Sequence, residues 1–199
     1  GKTSFLRSYM AEIMRTRSPK EAQFVVVDYR RALLGEIPEP YLNAYYTGHD
    51  QATTNLQGLA GYLRTRLPGP DVTAAELRAR SWRKGSEVYL IVDDYDLVAT
   101  SAGNPLTPLT TLFAQAADVG LHVVITRRVG GAGRALFDAG MPPLRDLAAP
   151  AIVLSGNPEE GALLGRVRPR IAGPGRAQIV TRDEGVRVAQ LAYLPPTQV

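Results

Sequence analysis

Three short apolar runs constrain this chain most: Phe24-Val25-Val26-Val27, Val88-Tyr89-Leu90-Ile91-Val92 and Leu121-His122-Val123-Val124-Ile125. Each is close to continuous rather than alternating, and each exits into polar residues, at Asp28, at Asp93-Asp94 and at Thr126. A strand apolar on successive residues is covered on both faces, which is the condition of a parallel sheet between helix layers. Helical periodicity fills the intervals. Phe5, Leu6, Tyr9, Ile13 and Met14 form a stripe between Ser4 and Arg17, and helical stretches are expected over Ala52 to Leu67 and Ala74 to Trp82, the latter with Thr73 as N-cap. The same reading expects one amphipathic helix from Leu106 to Val119, stopped by Gly120, and another from Arg134 to Leu147, interrupted by Pro142-Pro143. The expected fold is therefore α/β, with a mainly parallel sheet, right-handed crossovers and flanking helices.

Ala151 to Leu154 is expected as a last parallel strand. Ala177 to Thr181 and Val186 to Leu191 alternate around Asp183-Glu184-Gly185 like an antiparallel hairpin. No internal repeat, low-complexity tract or linker interrupts the chain, so residues 1–199 are read as a single domain. Cysteine is absent and only His49 and His122 are present, which excludes disulfides and Cys- or His-rich metal centres. No apolar run reaches the roughly 18 residues that a membrane-spanning helix needs. The net charge of +4 comes mostly from arginines interleaved with acids, a solvated pattern rather than a nucleic-acid stripe.

In open parallel sheets, ligands sit beyond the carboxyl ends of the strands. Asp28, Asp93, Asp94 and Thr126 all fall there. The start of the chain supplies a partner for them. Gly1-Lys2-Thr3-Ser4 reads as the end of a phosphate-binding loop of the form G-x-x-x-x-G-K-[ST], directly before a helix. In such a loop, backbone N–H groups of the glycine-rich turn surround phosphate, the lysine reaches the β- and γ-phosphates, and the hydroxyl binds Mg²⁺. Gly1, Lys2, Thr3 and Ser4 are thus candidate ATP-binding residues, and Thr3 and Asp93 candidate ligands for Mg²⁺, Asp93 acting through water. Asp94 stands where efficient ATPases place a glutamate that orients the attacking water. Being one methylene shorter, by about 1.5 Å, it suggests binding with slow turnover, since a misplacement of about 1 Å can cost on the order of 100-fold. Thr126 is a candidate phosphate or water sensor, or equally a residue that caps the sheet. Arg127, Arg128 and Arg134 are candidate arginine fingers or solvated surface residues, and Trp82 a packing anchor.

Beyond these motifs, the GKTS start, VYLIVDDYDLVAT, NPLTPL, ADVGLHVVITRRVGGAGRALFD, LSGNPEEGALLG and PGRAQIVTRDEGVRVAQLAYLPP resemble the last FtsK/SpoIIIE-like ATPase domain of EccC. EccC is the membrane-anchored motor of type VII (ESX) secretion systems, and the resemblance covers nearly the whole chain. It implies a RecA-like P-loop NTPase core of the FtsK type, with the first strand and first half of the phosphate loop missing, so that the chain is an N-terminally truncated fragment of a multi-domain protein. It further implies ATP and Mg²⁺ as cofactors, degenerate hydrolysis, and a role in substrate recognition or assembly. The implied partners are other ATPase domains of the same motor chain, a homo-hexamer, small helical WxG-type secretion substrates and other ESX membrane components. The implied location is the cytoplasmic face of the inner membrane for the parent protein, with this fragment itself soluble. Where active members carry an interface arginine, Tyr41 to Asp50 holds none. A non-catalytic docking module for secretion-signal helices is the alternative. A DNA translocase is disfavoured, because the winged-helix DNA-reading domain of such motors does not follow.

Overall fold

The structure is a computed structural model that describes residues 1–132, 141–164 and 167–197. Its centre is a four-stranded parallel sheet in the order β2-β1-β3-β4, formed by β1 (Ala22–Val27), β2 (Leu42–Tyr46), β3 (Glu87–Val92) and β4 (Leu121–Ile125). Alternate residues of β1 and β3 serve opposite layers, as the two-residue period of a strand requires. Phe24, Val26, Tyr89 and Ile91 pack with Leu6 and Met10 of α1 (Lys2–Thr16) on one face. Val25, Val27, Leu90 and Val92 pack with Ala52, Leu56, Ala60 and Leu63 of α2 (His49–Arg64) on the other. Both helices therefore bury the stripe that their apolar spacing defines, and the strands between them are fully enclosed.

The short α3 (Ala74–Ala79) is opened by a capping box in which Thr73 accepts from the Glu76 N–H and Glu76 accepts from Thr73. It buries none of its residues. Trp82 anchors the following loop by donating its indole N–H to the Arg66 carbonyl at 2.9 Å. Immediately after β3 comes α4 (Tyr95–Val98), one turn of helix.

Two expectations need correction. The Leu106–Val119 stretch is not one helix but α5 (Thr107–Thr110), a 3₁₀ turn at Phe113–Gln115 and α6 (Ala116–Val119). Its apolar residues are still buried, with Leu109, Leu112, Phe113 and Val119 all in the α2-side core, so the pattern reports a face and not a continuous hydrogen-bond ladder. Ala151–Leu154 (β5) is not part of the parallel sheet. It pairs antiparallel with β6 (Arg176–Thr181), which pairs antiparallel with β7 (Gly185–Gln190), in a separate three-stranded sheet. An apolar run specifies burial but says nothing of strand direction. The stretch expected as a helix from Arg134 lies partly outside the described residues; within them a helix covers Pro142–Asp146.

β2 was not anticipated at all. Leu42-Asn43-Ala44-Tyr45-Tyr46 neither alternates nor runs continuously apolar, and it occupies a sheet edge where none of its residues is fully buried. The parallel register aligns the working ends of the other strands: Val27 lies opposite Val92, and Val92 opposite Ile125. Asp28, Asp93 and Thr126 consequently emerge side by side.

Candidate functional site

α1 begins at Lys2 with Gly1 as its N-cap, no side-chain cap and no acidic residue in its first turn. On the sheet side, Asp93 is 3% exposed. The Thr3 hydroxyl donates to Asp93 Oδ2 at 2.8 Å, across ninety positions of sequence. Thr126, from the neighbouring strand, donates to the other carboxylate oxygen, Oδ1. One buried carboxylate therefore links the first turn of α1 to the ends of β3 and β4.

Asp94 adopts a left-handed backbone, φ 46° and ψ 58°. Its N–H is taken up by Thr126 Oγ1 at 3.0 Å and Asp93 Oδ1 at 3.1 Å. The reversal turns its carboxylate back toward α1, where Lys2 Nζ lies 3.2 Å from Oδ1. That contact is one of charge, for Oδ1 forms no aligned hydrogen bond. Arg30 Nε lies 3.2 Å from the other oxygen. Lys2, Thr3, Asp93, Asp94 and Thr126, chosen from sequence, all meet at one point, with Gly1 and Ser4 flanking it on α1.

Three other candidates have different placements. Asp28, 1% exposed, is a brace: it accepts from the Arg30 N–H at 3.0 Å, the Leu33 N–H at 2.8 Å and the Tyr45 hydroxyl at 2.6 Å. Burial, followed by the bond to Asp28, raises the Tyr45 phenol well above its ordinary value. Arg127 is turned inward on Asp96 at 2.9 Å, and Arg128 bonds the same carboxylate through its backbone N–H at 2.8 Å. Arg127 is committed within the chain; the Arg128 side chain is 69% exposed. Arg134 lies outside the described residues.

Sequence reasoning missed Arg30. It belongs to no phosphate-loop motif, yet it stands three residues beyond the carboxyl end of β1, on the side of the sheet where ligands collect, and that position was the available signal.

The donors suit magnesium. A hydroxyl and a carboxylate are hard oxygen ligands, and Mg²⁺ characteristically takes only one or two protein carboxylates, keeping waters and substrate phosphates for the rest. Among the described residues no group of three or more His, Cys, Asp or Glu could hold a metal by itself. A site for magnesium with phosphate fits; a self-sufficient metal cage does not.

No family model matches the chain. Individual proteins match closely. The ESX-4 secretion system protein EccC4 of Mycobacterium tuberculosis is 45% identical over 196 residues, 98% of this chain and 16% of that protein. The structure of Thermomonospora curvata EccC (ATPases 2 and 3) in complex with a signal sequence peptide superposes with TM-score 0.92 at 41% identity, over 98% of this chain and 35% of that one. A solved structure described as an ATPase superposes with TM-score 0.88 at 33% identity, over all of this chain and 77% of its own. The chain thus spans about one sixth of the length of EccC4. A parallel sheet flanked by helices, a C-terminal antiparallel hairpin and this degree of identity lead to one assignment: the chain belongs to the EccC family of ESX secretion proteins, as one of its C-terminal ATPase domains.

Proposed function

We propose that this chain is the ATP-binding part of an ESX secretion motor, and that it binds Mg·ATP at the junction of α1 with β3 and β4. The observation that carries the reading is the Thr3–Asp93 hydrogen bond, because a phosphate-loop hydroxyl and a strand-end acid share one Mg²⁺ in P-loop enzymes. Thr3 and Asp93 would hold the metal, Lys2 the terminal phosphates, and Gly1 and Ser4 the backbone contacts at the helix start. When bound, magnesium neutralises charge on the phosphates. Thr126 holds Asp93 and Asp94 in position, and whatever sensing it does passes through that pair.

Hydrolysis is expected to be slow. Asp94 is short for orienting water and is already engaged by two cations. The pairing of Arg127 with Asp96 disfavours it as an arginine finger; Arg128, 69% exposed although its Nε lies 3.6 Å from the same carboxylate, and Arg134 stay as candidates. We further propose the family's wider setting for this chain: a single domain of a longer protein, adjoining other ATPase domains of the same motor, assembled as a hexamer with ESX membrane components at the cytoplasmic face of the inner membrane. Since T. curvata EccC was solved with a signal sequence peptide, recognition of small helical WxG-type substrates is proposed here too. Docking without turnover is the second reading, favoured by the same occupied Asp94.

The test is direct. Titration with a fluorescent ATP analogue should show Mg²⁺-dependent binding that falls at least about tenfold in Lys2→Ala and Thr3→Ala, the loss expected when a charge-assisted phosphate contact worth about 1.5 kcal/mol or more is removed. Binding that ignores both substitutions would refute the site.

A further inference from the structure

Among the described residues, Arg30 is the one charged group at this site that neither motif nor family resemblance supplied. Resting on the nucleotide reading above, we propose that Arg30 is the standing partner of Asp94: a positioning residue that keeps this carboxylate neutralised and in place while Lys2 changes partners.

Asp94 sets the requirement for such a partner. Its side chain is 15% exposed and lies between two cations, one on each oxygen. It also adjoins a second, more deeply buried carboxylate, Asp93. Lys2 cannot serve Asp94 and a polyphosphate equally well, because a lysine ammonium is a single point charge. The two contacts are equally long at 3.2 Å, and it is Lys2, in the first turn of the phosphate helix, that an arriving phosphate can draw away. If Lys2 were the only partner, its departure would leave a half-buried carboxylate beside another carboxylate and an arriving polyanion. That state is costly, and the cost would be charged against nucleotide affinity. Arg30 removes the difficulty, since it holds Oδ2 independently of Lys2.

Nor is the position of Arg30 incidental. The buried Asp28 accepts the backbone N–H of Arg30 and closes the turn through Leu33, while Arg31 takes up a left-handed φ of 58°. Tyr45 of the adjacent β2 completes the brace. The backbone that carries Arg30 is therefore fixed from within the sheet, even though the side chain itself is 64% exposed. Such exposure also bounds the effect, because solvent-exposed ion pairs are weak. Arg30 tunes the site; it does not build it.

The experiment uses the full chain with ¹⁵N-labelled arginine, the Arg30 side-chain Nε–H signal being assigned through Arg30→Lys. The chemical shift of that signal should move in Asp94→Asn, and move less on adding Mg·ATP to the wild-type chain. Nucleotide titrations complete a double-mutant cycle. Arg30→Ala should weaken binding of the fluorescent ATP analogue about three- to fivefold when Asp94 is present and by less than about twofold in Asp94→Asn, with Arg30→Lys recovering part of the loss. An equal loss in both backgrounds would mean that Arg30 acts on phosphate directly or through bulk charge, and the proposal would fall while nucleotide binding stood. Failure of the wild-type chain to respond to Mg·ATP at all would instead remove the nucleotide reading, and the proposal with it.

Discussion

Aspartate at position 94 is a compromise between reach and backbone. At φ 46° the residue occupies a region in which Asp and Asn are several-fold enriched among non-glycine residues, because their short side chains tolerate it. Glutamate lacks that tolerance. Asp94→Glu should therefore lower the unfolding free energy by about 1 kcal/mol while lengthening the carboxylate toward the water position. Urea unfolding together with an ATP-hydrolysis assay reads both effects. That loss of stability with a clear gain in turnover would identify a tuned-down ATPase, and no gain would favour docking alone. At this scale much could be read ahead of the fold, since Lys2, Thr3, Asp93, Asp94 and Thr126 each belong to a motif or a strand end. Arg30 offered only its place just beyond β1, and the bracing role of Asp28 offered nothing, because both depend on a turn closed by the backbone N–H groups of Arg30 and Leu33 and by Tyr45 from a strand that the sequence concealed.

Among the elements, β3 carries most of the organisation. Its carboxyl end presents the acidic pair, and its amino end is held by a separate charge cluster: Glu87 pairs with Arg83 at 2.8 Å, His122 at 2.9 Å and Arg17 at 3.3 Å. Burial would raise the Glu87 carboxyl, but the hydrogen bonds from Arg83 and His122 outweigh it and leave the group below its ordinary value of 4.5. A depressed carboxylate stabilises the fold fully above its unfolded value and loses that contribution as pH falls through the folded one. Thermal stability should consequently drop as pH is lowered below about 4.5, and Glu87→Gln should flatten that part of the profile; an unchanged acid limb would show that the cluster contributes nothing. Elements with strong periodicity, α1, α2, β1, β3 and β4, were legible because burial on a fixed face dictates residue type. The edge strand β2 was not, being only half covered. The direction of β5 was hidden for another reason, since pairing with β6 is a long-range choice that no local pattern encodes.

For the whole molecule, the notable feature is how the chain's last described residues return to its first helix. Arg7 Nε donates to the Leu194 carbonyl at 3.2 Å, Ser8 Oγ to the Ala192 carbonyl at 3.0 Å, and the Thr197 hydroxyl to Glu36 at 2.9 Å. Beyond β7, the segment thus crosses α1 one turn past Lys2 and Thr3. Deleting residues 192–199 should loosen that turn, seen as faster amide exchange at residues 4–8 with the sheet amides unaffected, and should weaken nucleotide binding; unchanged exchange there would show the crossing to be passive. Because the hairpin and the phosphate helix are laced together at their ends, mechanical tension arriving on the C-terminal sheet would reach α1 without first deforming the parallel core. Under the motor reading proposed above, such a lacing would let a tug on one surface be felt as slack or grip at the phosphate helix.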